Sequence, residues 1–527
     1  HLFVIPLDEE RRWYRYHHLF DDLLTSTLKQ RKSEQDIQEL HRRASRWHQW
    51  EGNLEEAMSH AMAAQDYEQA ALMIDENIAS MLSRNEVPVL LGWIEKLPEH
   101  VVHGRPWIDV HRANTLVLTG QPEEVGPLLE DIEKRIEPDA PRSSELLGHI
   151  AAVRAYAANL AGDAARATEM AALAEKLLPD DHLTGQSMTA YTLADIHFSR
   201  DDMDGASQSL LKMLRVGEKS NELMMIVPAL CELAVVKKTQ GQLHQAKELY
   251  DKAYQWLEDQ DSLDYRLRCS FEFGMAELLR EWNQLDAAYK HAMIGDEYRQ
   301  RLGGYLMVGE LTLMRVLQAR GDVKGALDAL YNAEQIKKVH QFQLAINIEF
   351  KTERVVQWLA AGDVETASRW AEECNGGSER EQIVLARLRL AQGQVAEAKH
   401  LLDLQRGLAE AGGRDGRLIE ILGLQALALS LADKSSEAVA VLSQALSLAR
   451  PEGYVRIFLD MDQPIYDLLE KIVTKKKPDK KQSTTKKRNN QDKKREMLKD
   501  KRKKEKKQTN VEKMWDAYFP RPPSRRL

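Results

Sequence analysis

One tight turn recurs along this chain: a Gly, Asp or Asn, then a few polar or small residues, then Ala five positions after the first. It reads GNLEEA at Gly52, GDAARA at Gly162, DDMDGA at Asp201, GQLHQA at Gly241 and NQLDAA at Asn283. It continues as GDVKGA at Gly321, GDVETA at Gly362, GQVAEA at Gly393 and DKSSEA at Asp433, with a weaker copy, GQPEEV, at Gly120. Gly, Asn and Asp tolerate the left-handed backbone that ends a helix abruptly, and the polar residues behind them cap the next helix. The Ala then lets the two helices approach closely.

From Gly120 onward the turn-to-turn intervals are 42, 39, 40, 42, 38, 41, 31 and 40 residues. About forty residues hold two helices of roughly 15 residues and two connections, a unit that cannot bury its apolar face alone. Stacked units predict an all-α fold, a tetratricopeptide-like helical-repeat superhelix whose concave face takes a ligand or partner. The composition agrees, with 43% hydrophobic residues but only 28 Gly and 16 Pro in 527 residues.

Such an array binds rather than catalyses, and the motif content points the same way. No phosphate loop, dinucleotide-binding glycine motif, H-E-x-x-H or G-x-S-x-G occurs. The GGRDG cluster at Gly412 to Gly416 reads as a loop. His100, His103 and His111 lie close in sequence but lack metal-ligand spacing, so no metal site is expected. Carboxylates stand beside Lys and Arg at helical spacing, as in ELLREW and AEQIKK, the pattern of solvated helix faces. The aromatic stretch Trp13 to Leu24 reads from spacing as an amphipathic helix. Cys231, Cys269 and Cys374 are too scattered for a disulfide framework and read as core residues.

No apolar run reaches about 18 residues and no signal peptide opens the chain, so a soluble cytoplasmic protein without membrane association is expected. The chain opens on His1 rather than Met, which points to a fragment of something longer. Charge is split along it. Residues 475–527 hold 22 Lys and Arg against 7 Asp and Glu, leaving 52 against 75 for the rest. The Lys-rich stretch has no apolar periodicity and is expected to be disordered. Three readings of it stand: an arm binding nucleic acid without sequence preference, a solvated tail, or the product of a frameshift.

Several segments resemble the MalT-type, large ATP-binding LuxR-family transcription regulators of bacteria. They are FVIPLDEERRWYRYHHLFDDLL, LHRRASRWHQWEGNLEEAMSHAMAAQDYEQAA, LTGQPEEVGPLLEDIE and GRLIEILGLQALALSLADKSSEAVAVLSQALSLARPEGYVRIFLDMDQPIYDLL. The resemblance implies that residues 1–35 are the end of a winged-helix segment and 36–472 a tetratricopeptide-like sensor array, with 473–527 the basic tail. The family's ATPase and helix-turn-helix would lie outside this chain. YHHLF resembles the motif whose histidine senses bound nucleotide, which makes His17 the nucleotide-sensing residue of the intact regulator, with ATP or ADP as its cofactor. His18 stands where that motif usually has Asp. The resemblance further implies a small-molecule inducer or inhibitory protein on the concave face, contact with the regulator's own ATPase domain, and self-association. A free-standing protein-interaction scaffold is the rival reading.

Overall fold

A computed structural model of the chain describes residues 4–475 apart from 7–13, 84–85, 119–123, 138–141, 261–263, 305, 374–376 and 462. The weaker turn at Gly120, Cys374 and residues 476–527 lie outside the described residues, as do all readings placed on them. The described residues form 26 helices and one two-stranded sheet, divided into two compact units, His1–Val153 and Arg154–Leu527.

The first unit opens with β1 (Val4–Pro6) paired antiparallel to β2 (Tyr14–Tyr16), Val4 opposite Tyr16, followed by α1 (His18–Arg31). The expected single helix over Trp13 to Leu24 is therefore corrected. The β-forming Tyr14 and Tyr16 alternate along an extended strand, and the helix starts only after His17. A capping box at Ser33 then starts α2 (Glu34–Trp50): its hydroxyl accepts from the Asp36 amide while the Asp36 carboxylate accepts from the Ser33 amide. The core of this unit includes Met58, Met73, Ile74, Met81, Leu90, Ile94 and Ile108.

The repeating turn does what its composition demands. Gly52, Gly162, Asp201, Gly241, Asn283, Gly321, Gly362, Gly393 and Asp433 all have positive φ, between 57° and 83°. The Ala five positions after each is at most 2% exposed. Where Asp follows the left-handed residue it caps the next helix, as when Asp202, Asp322 and Asp363 accept from the amides of Gly205, Gly325 and Thr366 at 2.9 to 3.0 Å. These turns differ in what surrounds them. A Cβ at Gly321 would meet nothing within 4 Å, whereas one at Gly241 would lie 2.8 Å from the Asp415 Cβ. Gly321→Ala is expected to cost about 1 kcal/mol from backbone strain alone, and Gly241→Ala about 2 to 3 kcal/mol because the collision adds to it. Equal losses in urea unfolding of the two variants would refute the second contribution.

In the second unit, helices alternate between two layers. The inner layer is formed by α11 (Leu183–Ser199), α13 (Leu223–Thr239), α15 (Tyr265–Glu281), α17 (Met307–Arg320), α19 (Leu344–Ala360), α21 (Glu379–Ala391) and α23 (Asp415–Leu431). From α13 on, each packs on its turn-linked partner and on the next inner helix. The chain then curls far enough to meet itself: α11 touches α19, α13 touches α23, and α15 touches α25 (Arg456–Leu459).

This seam joins turns to helix starts 170 to 216 positions downstream. Asp201 accepts from the Glu379 amide at 2.8 Å, and Arg414, 7% exposed, bonds both the Asp201 carbonyl and Glu379. GGRDG is thus more than a loop, since Arg414 fills a buried ion pair and Asp415 and Gly416 already belong to α23. A Cβ at Gly416 would sit 2.5 Å from the Lys238 carbonyl, so only Gly allows this approach. Further along, the Trp282 indole donates to the Glu452 carbonyl at 2.9 Å and the Val455 amide to the Glu281 carbonyl at 3.1 Å.

Candidate functional site

Inner helices of a solenoid are expected to be apolar where they pack, yet this inner layer carries a continuous set of charged side chains. Arg315 on α17 is the hub. Its guanidinium donates to Glu277 of α15 at 2.8 Å, to Glu353 of α19 at 3.1 Å, and to Glu349 of α19. The Arg315 and Glu277 side chains are each 12% exposed and Glu353 9%, so the cluster is enclosed but not dry. Arg380 of α21 donates to Thr352 at 3.0 Å and pairs with Glu353, while Arg387 donates to Glu420 of α23 at 2.9 Å.

Enclosure makes these charges expensive unless paired, and the pairing sets their protonation. Burial opposes ionisation of Glu277, yet Arg315, Lys238 and Arg280 outweigh it and hold the carboxyl down at about 2. Glu420 is likewise held at about 2 by Arg387 and Arg417 against the effect of burial.

Two further carboxylates, on α11 and α13, have no arginine partner of this kind. Burial pushes Asp195 of α11 up to about 6, although its carboxylate accepts from Asn159 at 2.8 Å and from the amides of Leu344 and Ala345 at the start of α19. Burial, reinforced by Asp195 and Glu349, pushes Glu232 of α13 up to about 7, with Lys238 offsetting part of the effect. Tyr191 stands half-buried beside them, and the Tyr156 hydroxyl accepts from Gln343 at 3.1 Å. The inner face therefore offers carboxyl groups poised between charged and neutral alongside paired guanidinium groups. That lining can grip a polar ligand by donors and acceptors together.

Spacing alone misplaced this network. ELLREW is residues 277–282, and its Glu277, Arg280 and Glu281 point into the enclosed face rather than into solvent. AEQIKK, residues 333–338 on the outer helix α18 (Val323–Val339), does carry solvated charge: Lys338 there makes an exposed hydrogen bond to Gln335. The signal was in the flanks, because α15 buries Phe271, Phe273, Met275, Leu278 and Leu279 around its charges.

The other sequence candidates lie elsewhere. His17, in the first unit, is the N-cap residue of α1; its carbonyl accepts from the amides of Phe20 and Asp21 at 2.8 and 3.0 Å. His100 and His103 sit on α6 (Glu99–His103) and His111 on α7 (Pro106–Leu118), its ring 5.2 Å from that of His149. Among the described residues, no group of three or more His, Cys, Asp and Glu side chains is arranged to hold a metal ion. No described helix is long and apolar enough to cross a membrane. Cys231 and Cys269 are buried, and burial pushes the Cys269 thiol up to about 12. An open groove of about 510 Å³ is lined by Arg406 of α22 (Val395–Ala411), Leu418 and Leu422 of α23, and Ser443 of α24 (Ser435–Ala449).

Residues 148–475 match the family model described as the MalT-like TPR region, and residues 1–36 match the MalT winged helix domain. Curated relatives include the HTH-type transcriptional regulator MalT of Vibrio cholerae, 25% identical over 90% of this chain and 53% of its own length. The same regulator of Yersinia enterocolitica is 23% identical over 90% of this chain and 53% of its own. The chain spans about half the length of the curated relatives it matches. Among solved structures, a Rap protein complexed with competence and sporulation factor aligns at TM-score 0.49 and 14% identity, covering 66% of this chain and 99% of that one. A signal transduction ATPase with a tetratricopeptide repeat sensor from Pyrococcus horikoshii aligns at TM-score 0.43 and 12% identity, covering 74% of this chain and 54% of that one.

Proposed function

This chain belongs to the family of MalT-like TPR regions, and from that premise we propose that it is the effector- and partner-binding sensor region of an ATP-dependent, LuxR-family transcription activator. The observation that carries the proposal is the charged inner face. Enclosed ion pairs are weak contributors to stability compared with well-packed apolar residues, so a stack of them across successive helices is hard to account for as structure alone. A polar effector bound there would exchange hydrogen bonds with Arg315, Glu232 and Arg417 and favour one arrangement of the helices.

An effector shifts such an equilibrium only by its difference in affinity for the two arrangements. In the intact regulator that difference would act on nucleotide binding and self-association. ATP or ADP would be held by the ATPase domain, with His17 presented to its phosphates, where an imidazole N–H can donate to a phosphate oxygen. An inhibitory protein that prefers the resting arrangement would act in the opposite sense to the inducer.

The direct test is a thermal-shift screen of this chain against sugars, sugar phosphates, amino acids and short peptides at about 1 mM, where a site of roughly 10 µM affinity stabilises by about 2.7 kcal/mol. A ligand that raises the midpoint for the native chain, but not for Glu232→Gln or Arg417→Gln, supports the inner face as its site. A ligand whose shift survives both substitutions rejects that placement.

A further inference from the structure

Resting on the reading just given, we propose that residues 450–461 form a clasp that couples the inner-face charge network to α26 (Gln463–Lys475), the last described helix. The coupling route is a run of direct contacts. Arg315 grips Glu277 and Glu353 with its guanidinium, and its backbone carbonyl accepts from Arg280 Nε at 3.3 Å. Arg280 also pairs with Asp460 inside the clasp. Asp460 accepts from Arg456 Nε at 2.5 Å, and Arg456 in turn donates to the Ala319 carbonyl at 3.4 Å, closing a loop back to α17. Lys238 makes a second bridge: its charge bears on Glu277 and Glu232, and its carbonyl accepts from the Tyr454 hydroxyl at 2.7 Å.

The clasp is also an apolar plug. Tyr454, Phe458 and Met461 are at most 4% exposed, and the Met461 sulfur lies so near α23 that a Cβ at Gly423 would come within 2.6 Å of it. Directly behind it, α26 buries Ile465 and Leu468 completely and Leu469 nearly so, packing on α23 and α24. A buried polar network of this kind is either made or broken, because half-way positions leave charges enclosed without partners. An effector that draws Glu277 or Arg315 toward itself moves Arg280, and Arg280 cannot move without releasing Asp460. The seam then parts where Val455 meets Glu281 and where the His244 amide meets Glu452 at 3.0 Å, and α26 loses the floor beneath it.

Hydrogen exchange on the full 527-residue chain tests this without any effector, so its outcome is independent of whether an inner-face ligand is found. Glu277→Gln alters only the inner face. Gly416→Ala removes no inner-face charge and wedges the seam against the Lys238 carbonyl, while favouring the helix it sits in. Both are expected to speed exchange at least tenfold at the Val455 and His244 amides and within residues 464–472. Lys399→Gln, which removes an exposed pair with Asp403 on α22, is expected to change neither. Outer-helix amides, such as those within 327–333, report that each variant is folded. If Glu277→Gln leaves the Val455 and His244 amides at their native rates, the inner face is not coupled to the clasp. If Gly416→Ala speeds those amides but leaves 464–472 unchanged, the clasp does not control α26. Either result overturns the proposal.

Discussion

Replacing Arg315 with Met is expected to cost the second unit about 3 to 5 kcal/mol, because it leaves an enclosed cluster of carboxylates without its central cation. Met keeps most of the apolar stem and fills much the same space, so the loss reports charge rather than a cavity. Glu277, Glu349 and Glu353 all accept from this one guanidinium, although Glu353 and Glu349 retain help from Arg380. The sign with pH follows from Glu277. Its carboxyl is held at about 2 in the folded chain against an ordinary value of 4.5, so it contributes stability above pH 4.5 that is lost as pH falls toward 2. Without Arg315 the carboxyl would titrate upward and be neutral at mild acidity. The gap between native and variant, measured by urea unfolding, is therefore widest above about pH 5 and narrows below about pH 4. A gap under about 1 kcal/mol at neutral pH would mean that water already screens the cluster.

The array was legible because its punctuation is chemical. Each turn needs a residue that accepts positive φ and a small residue at the helix crossing, and both demands fall on single positions that composition cannot disguise. Asp201, Asn283 and Asp433 were as readable as the glycines for that reason. The strand Tyr14–Tyr16 was not, since three residues carry too little periodicity to distinguish an extended segment from the helix that follows it.

The inner face was hidden for a different reason. Spacing of charges along a helix says that they share a side, but not whether that side meets water or the chain's own next circuit. ELLREW and AEQIKK have similar local patterns, and only the second lies on an outer helix. Burial is decided by contacts such as α13 with α23, whose partners are almost two hundred residues apart. What a sequence does reveal is incongruity: Glu232 stands alone within LMMIVPALCELAVV, where no solvated face exists to receive it. A charge in a helix that is apolar all round must be paired, neutral or waiting for a ligand. The seam glycines were hidden in the same way, because Gly416 looks like part of an ordinary turn until Lys238 is brought against it.

Glu232→Gln is expected to stabilise the chain at alkaline pH, contrary to the usual outcome of substituting an enclosed side chain. In the folded chain burial raises its carboxyl from 4.5 to about 7, so the folded state binds this proton more tightly than the unfolded one. Stability from this group is therefore full below pH 4.5 and falls as pH rises through about 7, with Asp195 adding a parallel loss up to about pH 6. Glu277 and Glu420 act oppositely, gaining stability as pH rises toward 4.5, which places the maximum for these four groups just below about pH 4.5. A neutral amide of the same shape removes the alkaline loss and, at about pH 8, should raise stability by roughly 1 to 3 kcal/mol while changing little below about pH 5. The decisive measurement is the slope of unfolding free energy between about pH 5.5 and 8 in both proteins. Parallel slopes would show that Glu232 ionises in the folded chain as it does in water, with a cation or solvent meeting it on the inner face. A shallower slope in the variant would establish that the inner face holds a carboxyl near its neutral point, ready to take a proton or a donor group from whatever binds there.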